Sequence, residues 1–369
     1  MRVWIFPPSP CPQYAGEAVR GLRPLKTRPS RDARLSRLGF AALTASLLAA
    51  LVCASPARAQ DATPGDAAAL LLQPAEKRAY ASQEMMLGVA RAGKRLVAVG
   101  DHGAILLSDD DGITFRQAQT APVRSTLTAV AFADATHGWA AGHGGVILHT
   151  ADGGEHWTLQ RSEMDNDRPL FSIWFADAEH GVAAGLWSLL LTTADGGRNW
   201  HAVTLPPPPE SGKADRNLFG LFANSKGTVF IAAERGTVLR SNDQGVTWSY
   251  LNTGYNGSFW TGCALKDGTL IVGGLRGTIY RSTDDGQSWH AAASGTTSSI
   301  THIAEIGGKV VAVGLDGVQL DSHDGGATFT ARQRADSLSL TALSADGGDA
   351  VLIYSKRGVV VDKQNKRTQ

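Results

Sequence analysis

An eight-residue pattern, Ser/Thr-x-Asp-x-Gly-x-x-aromatic, occurs six times in this chain at a nearly constant interval: SDDDGITF (108–115), TADGGEHW (150–157), TADGGRNW (193–200), SNDQGVTW (241–248), STDDGQSW (282–289) and SHDGGATF (322–329). Its aspartates, Asp110, Asp152, Asp195, Asp243, Asp284 and Asp324, lie 42, 43, 48, 41 and 40 residues apart. A period of about 40–45 residues is that of a four-stranded propeller blade. A fixed repeat of this length excludes two unrelated globular halves, although 369 residues would accommodate them. The 42 glycines and nine tryptophans suit a sheet protein with many tight turns.

The pattern makes physical sense as a hairpin turn. The Asp carboxylate accepts bonds from following backbone N–H groups, the Gly supplies a positive φ, and the Ser or Thr hydroxyl closes the turn from the other side. The terminal aromatic then drops between neighbouring sheets. Acidic residues in a glycine-rich turn also suggest calcium, but the alternating oxygen ligands and closing Glu of a calcium loop are missing, so no metal is expected.

Upstream of each box lies a pair of strands about a short turn, as in LVAVGDHGAILL and LIVGGLRGTIYR. A seventh pair, AVLIYSKRGVVV (350–361), follows the sixth by 41 residues, Gly317 to Gly358, and has no box. A short apolar strand precedes each pair, such as LTAVAFAD (127–134), and a polar one follows each box, such as WTLQR. Each unit is thus an inner strand A, a middle pair B and C, and an outer strand D, with the box at the C-to-D turn. The predicted fold is all-β, a seven-bladed propeller over residues 76–369. The last unit stops after strand C, so the segment Glu76–Ser82 is expected to supply its fourth strand and close the ring. Residues 60–75 read as a flexible lead, and Pro206–Pro209 with the residues after it read as a surface-loop insertion that explains the 48-residue interval.

Residues 1–59 differ in kind: six basic residues between Arg23 and Arg37 precede an apolar run, Leu38–Ala54, and then Ala57-Arg58-Ala59. This is the pattern of a secretory signal with cleavage after Ala59; the competing transmembrane anchor would need roughly 20 apolar residues. The chain is therefore expected to be exported, to a periplasm or beyond, free or membrane-associated. The leader holds nine basic and two acidic residues, which leaves 26 basic against 32 acidic residues and a net charge of about −6. That balance gives no global footprint for nucleic acid. Cys11 and Cys53 fall in the leader, so Cys263 stands alone as a small core residue and no intrachain disulfide forms.

In propeller wiring the B-to-C turns and D-to-A connections share one face. The B-to-C turns present His102, Gly144, Trp187, Arg235, Arg276, Asp316 and Arg357, and the D-to-A connections present Arg124, Arg168 and Arg216. Six arginines on one rim of an acidic protein form a candidate binding face for carboxylate or phosphate groups, with Trp187, Trp260, Phe259 and Tyr255 as aromatic anchors. The alternative is that each arginine is a solvated turn residue paired with a neighbour such as Glu234, Asp167, Asp215 or Asp336. His102 and His143 lack a third clustered ligand, and every glycine-rich segment is a hairpin turn, so no metal and no cofactor are expected.

The six boxes, with phrases such as HGWAAGHGGVILHTADGGEHW (137–157), resemble the bacterial neuraminidase repeat, or Asp-box, propellers. Over about Met85–Asp362 the chain looks most like the photosystem II stability and assembly factor family. That resemblance implies an exported, non-catalytic scaffold, monomeric, whose client is a membrane protein or membrane-complex subunit. The box is shared with sialidases, so a glycosidase is the alternative; it would use three arginines on a substrate carboxylate, a Tyr nucleophile and an acid/base Asp. The early Phe-Arg-Ile-Pro sialidase signature is absent, and Tyr255 has no nearby Glu in sequence.

Overall fold

The computed structural model of the chain describes residues 64–360 apart from positions 167 and 211; the leader and its cleavage site lie outside the described residues. Seven antiparallel sheets follow one another along the chain, at 86–117, 127–161, 170–202, 218–252, 259–291, 300–333 and 340–360. The first six have four strands in simple A-B-C-D order, and the seventh has three among the described residues. The protein is an all-β, seven-bladed propeller.

Burial explains the strand sequences. Strand B is covered on both faces by adjacent blades, so it reads as an uninterrupted apolar run, as in Gly138–Gly142 and Leu270–Gly274, buried at every position. Strand D lies at the rim, and Thr158–Arg161 is mostly polar, with no residue buried. The box aromatics fill the seams between blades as expected. Trp157 packs with Val97 and Leu107 of the first blade, Trp248 with Val182 of the third, and Trp289 with Phe230 of the fourth.

Each strand A carries a register shift near its start, for example between Leu127 and Ala129 and between Phe259 and Thr261. The residue before the shift is fully buried, as with Leu127 and Phe259, while the next one lines the central channel of ≈ 200 Å³. Thr128, Thr301 and Thr341 occupy that second position and bond across to the next blade: Thr128 Oγ1 donates to Leu170 O at 2.7 Å, Thr301 Oγ1 to Leu340 O at 2.8 Å, and Thr341 Oγ1 to Met86 O. The last of these joins the seventh blade to the first. Met86, Ala98 and Leu106 pack there against Ala342 and Tyr354.

The N-terminal segment departs from expectation. Glu76–Ser82 forms no strand on the seventh blade. Arg78 N donates to Gln117 Oε1 at 2.7 Å, Gln117 Nε2 to Glu76 O at 3.1 Å, and Lys77 Nζ to Ala118 O, so the segment follows the outer edge of the first blade. A 3-10 turn, Ala81–Gln83, then reaches the seventh blade, where a Cβ on Gly358 would meet Ser82 O at 1.8 Å. Within the expected lead, Pro64–Leu71 is an α-helix, and Leu71 O accepts from Arg124 N at 2.8 Å.

The boxes are closed hydrogen-bond devices. In the fourth blade Ser241 Oγ donates to Asp243 Oδ1 at 2.8 Å and accepts from Gly245 N at 2.8 Å, while Thr247 N and Oγ1 donate to the two carboxylate oxygens at 2.9 and 2.5 Å. Such bonds favour the charged form. Asp110, Asp195 and Asp284 are lowered to about 2, first by the side chains of Thr114, Asn199 and Ser288 and then by the same residues' backbone N–H groups. Their folded values lie below the unfolded one of roughly 4, so the stability they contribute is present above pH 4 and lost as pH falls toward 2. Melting temperature should therefore decline across that window, and Asp195→Asn should decline less steeply; thermal scans between pH 5 and pH 2 check both.

Candidate functional site

Five of the seven B-to-C connections are three-residue 3-10 turns with a left-handed middle residue, and the plain turn of the fourth blade holds Arg235 in the same left-handed backbone. His102, Trp187, Arg235, Arg276 and Asp316 have φ between 52° and 57°, where Gly144 of the second blade has 67°. A non-glycine residue there costs roughly 1–2 kcal/mol. The turns interlock with the D-to-A connections: Ser188 N donates to Arg216 O at 2.7 Å, Gly236 N to Gly257 O at 2.6 Å, and Arg276 N to Ser299 Oγ at 3.1 Å. The candidate binding residues on and beside these connections lie in different environments.

Trp187, Arg235, Arg276 and Arg357 are exposed. Trp187 is 59 % exposed and receives the Arg168 guanidinium on its carbonyl at 3.4 Å. Arg124 is tied down, to Glu76 at 3.0 Å and Pro74 O at 3.2 Å. Trp260 lines the channel beside Phe171 and Phe219, whose rings stack at 5.5 Å. Of the neighbours considered as partners, Asp215 lies 4.0 Å from Arg235, whereas Glu234 is engaged by Asn217 and Asp336 by Arg334. Asp167 lies outside the described residues.

Arg216 is not a rim residue. It is 2 % exposed, under the ring of Tyr250 at 5.6 Å, and its Nη1 donates to Thr237 Oγ1. Its Nη2 meets the Glu210 carboxylate. Desolvation lowers the guanidinium from its ordinary value, and burial likewise raises the Tyr250 phenol. Arg216 and Arg235 line one cavity of ≈ 400 Å³ with Glu210, Tyr250, Tyr255 and Asn256. Sequence reading missed Glu210, because the insertion carried no periodic signal, and Tyr250, which lies in a polar outer strand; it also missed Phe171 and Phe219, although their place after the first residue of strand A repeats from blade to blade.

The model of the family described as photosynthesis system II assembly factor YCF48 matches residues 117–249 and 160–361. The chain belongs to that family. A solved structure described as YCF48 bound to D1 peptide is similar, with 20 % identity and a TM-score of 0.61 over 79 % of this chain and 98 % of that one. YCF48 from Cyanidioschyzon merolae is similar at 16 % identity and a TM-score of 0.58, over 75 % of this chain and 94 % of that one. None of the curated proteins matches the chain.

In this YCF48-family chain the cavity does bring tyrosines, arginines and a glutamate together, which the sequence had not indicated. Its chemistry is nevertheless unlike a glycosidase nucleophile. Tyr250 Oη donates to Pro206 O at 2.9 Å and its phenol is shifted toward the neutral form, where a nucleophile needs a carboxylate to take its proton. Cys263 is no better a nucleophile, since burial pushes its thiol up to about 12.

Proposed function

We propose that this protein is an exported, monomeric, non-catalytic scaffold that holds an anionic segment of a client membrane protein on the B-to-C face. The observation that carries the reading is the set of turns at Trp187, Arg235 and Arg276. Each holds a large side chain outward on a left-handed backbone, where the glycine of the second blade would be unstrained. An exposed tryptophan and exposed arginines are the residue types that dominate binding energy. Family membership, and a relative solved with a D1 peptide, support a peptide of a membrane complex as the client class. The basic stretch and apolar run before Ala59 support export. At the cavity, the bond from Tyr250 Oη to Pro206 O and the shift of its phenol toward the neutral form support a binding role.

A photocrosslinking side chain at Asp316, an exposed B-to-C turn of the sixth blade, tests the reading against one at Val246, exposed in a box turn on the opposite face. In host membranes the first should trap a client and the second should not. Arg235→Glu with Arg276→Glu should cut the crosslink by about tenfold or more, and salt should weaken it because exposed charge contacts are screened within about 8–10 Å. Equal crosslinking from both faces would refute the assignment.

A further inference from the structure

The cavity beneath Arg235 is built around a charge that cannot be discharged. Arg216 is almost wholly buried, its Nε has no hydrogen-bond partner among the described residues, and a guanidinium stays protonated at any physiological pH. A buried cation without an anion is strongly destabilising, so an anion must sit there. Among the described residues the carboxylate that touches it is Glu210, brought by the insertion that lengthens the repeat between the third and fourth blades, while Glu234 acts on it through space. The two partners are unequal, since the Arg216 side chain is 2 % exposed and that of Glu210 59 % exposed. Glu210 therefore gives up little when it returns to water, whereas Arg216 requires a replacement. The insertion is arranged for such an exchange: Pro206–Pro209 limits its backbone freedom, and the bond from Tyr250 Oη to Pro206 O pins its root while Glu210 reaches in from its far end. The cavity of ≈ 400 Å³ has room beside Arg216, and Arg235 and Asn256 offer further donors on its wall.

We propose that this cavity is a carboxylate-binding site and that Glu210 is its resident competitor, displaced when a carboxylate from another molecule takes its place on Arg216. The inference rests on the scaffold reading only in assigning the incoming carboxylate to the client. A bidentate carboxylate would leave the buried charge compensated throughout the exchange, so the exchange lowers apparent affinity without unfolding the site. The competitor is intramolecular and so acts at a high effective concentration, which sets the expected size of its effect.

Calorimetric titration of the intact chain with two isomeric probes decides the matter. N-acetylisoglutamine carries only a side-chain carboxylate and N-acetylglutamine only a terminal one; the doubly amidated compound is the uncharged control. Glu210→Gln should bind at least one acid about tenfold more tightly than the unaltered chain. The control should bind neither protein, and the preferred isomer tells whether a side chain or a chain terminus is the natural occupant. Glu210→Asp, which keeps the charge on a shorter arm, should fall between and serves if Glu210→Gln does not fold. Equal affinities across the three proteins, or no acid binding in any, would overturn the proposal. The crosslink from Asp316 reports separately. Tighter acid binding without a trapped client upholds the cavity and removes the client, and a trapped client with unchanged acid affinity removes the role of Glu210 and leaves the scaffold.

Discussion

Replacing Tyr354 by Ala should cost about 3–5 kcal/mol of stability, a large share of what a domain of ordinary stability possesses. Tyr354 is fully buried in strand B of the seventh blade, edge-on to Phe115 of the first blade at 6.2 Å. Its ring fills the seam with Met86, Ala98 and Leu106, where the last blade meets the first. Because no described outer strand from the N-terminus completes the seventh blade, this seam depends on side-chain packing and on the bond from Thr341 Oγ1 to Met86 O. Tyr354→Phe keeps the ring and should cost under about 1 kcal/mol. Denaturant unfolding of the two variants checks the contrast. A loss below about 1.5 kcal/mol for the alanine variant would mean that inner-strand hydrogen bonds, and not the aromatic seam, hold the ring closed.

Trp139→Ala should be comparably damaging, at about 3–5 kcal/mol. Trp139 is fully buried in strand B of the second blade, stacks on Phe175 of the third at 3.5 Å between ring centres, and donates from Nε1 to Gly196 O at 3.1 Å. Truncation would open a cavity between two blades that the rigid neighbouring sheets cannot collapse. Trp139→Phe keeps an aromatic on Phe175, and Gly196 O retains its bond from Gln160 Nε2 at 2.9 Å, so that change should cost about 1–2 kcal/mol. Thermal and chemical unfolding separate the two. Equal losses would assign the effect to the indole N–H and not to the volume of the side chain.

The candidate site was legible only as far as the repeat reaches. Aligning the units located Arg235, Arg276, Arg357 and Trp187 on one face, and the structure presents all four outward there. The same alignment placed Arg216 on that rim, yet its side chain turns under Tyr250 and is buried. Position in a connection tells which face a residue belongs to; it does not tell which way the side chain points. Glu210 and Arg216 are six residues apart, but a proline-rich loop has no period from which their contact could be inferred.

The box turns, the seven units, the four-strand order and the aromatic seams were determined by sequence alone, because each depends on local chemistry repeated at a constant interval. A Ser or Thr, an Asp and a Gly within five residues make the same turn in the second blade as in the sixth, and an apolar run flanked by such turns has to be a covered strand. Only the tertiary structure decided where Glu76–Ser82 runs, how the ring closes at Tyr354, and which arginine is buried. Each of these is a competition between distant surfaces: Gln117 against the edge of the seventh blade for the N-terminal segment, and Tyr250 with Glu210 against solvent for Arg216. Such competitions are settled by packing and desolvation against residues such as Gln117 and Tyr250, tens of positions from the groups they hold, which no local pattern encodes.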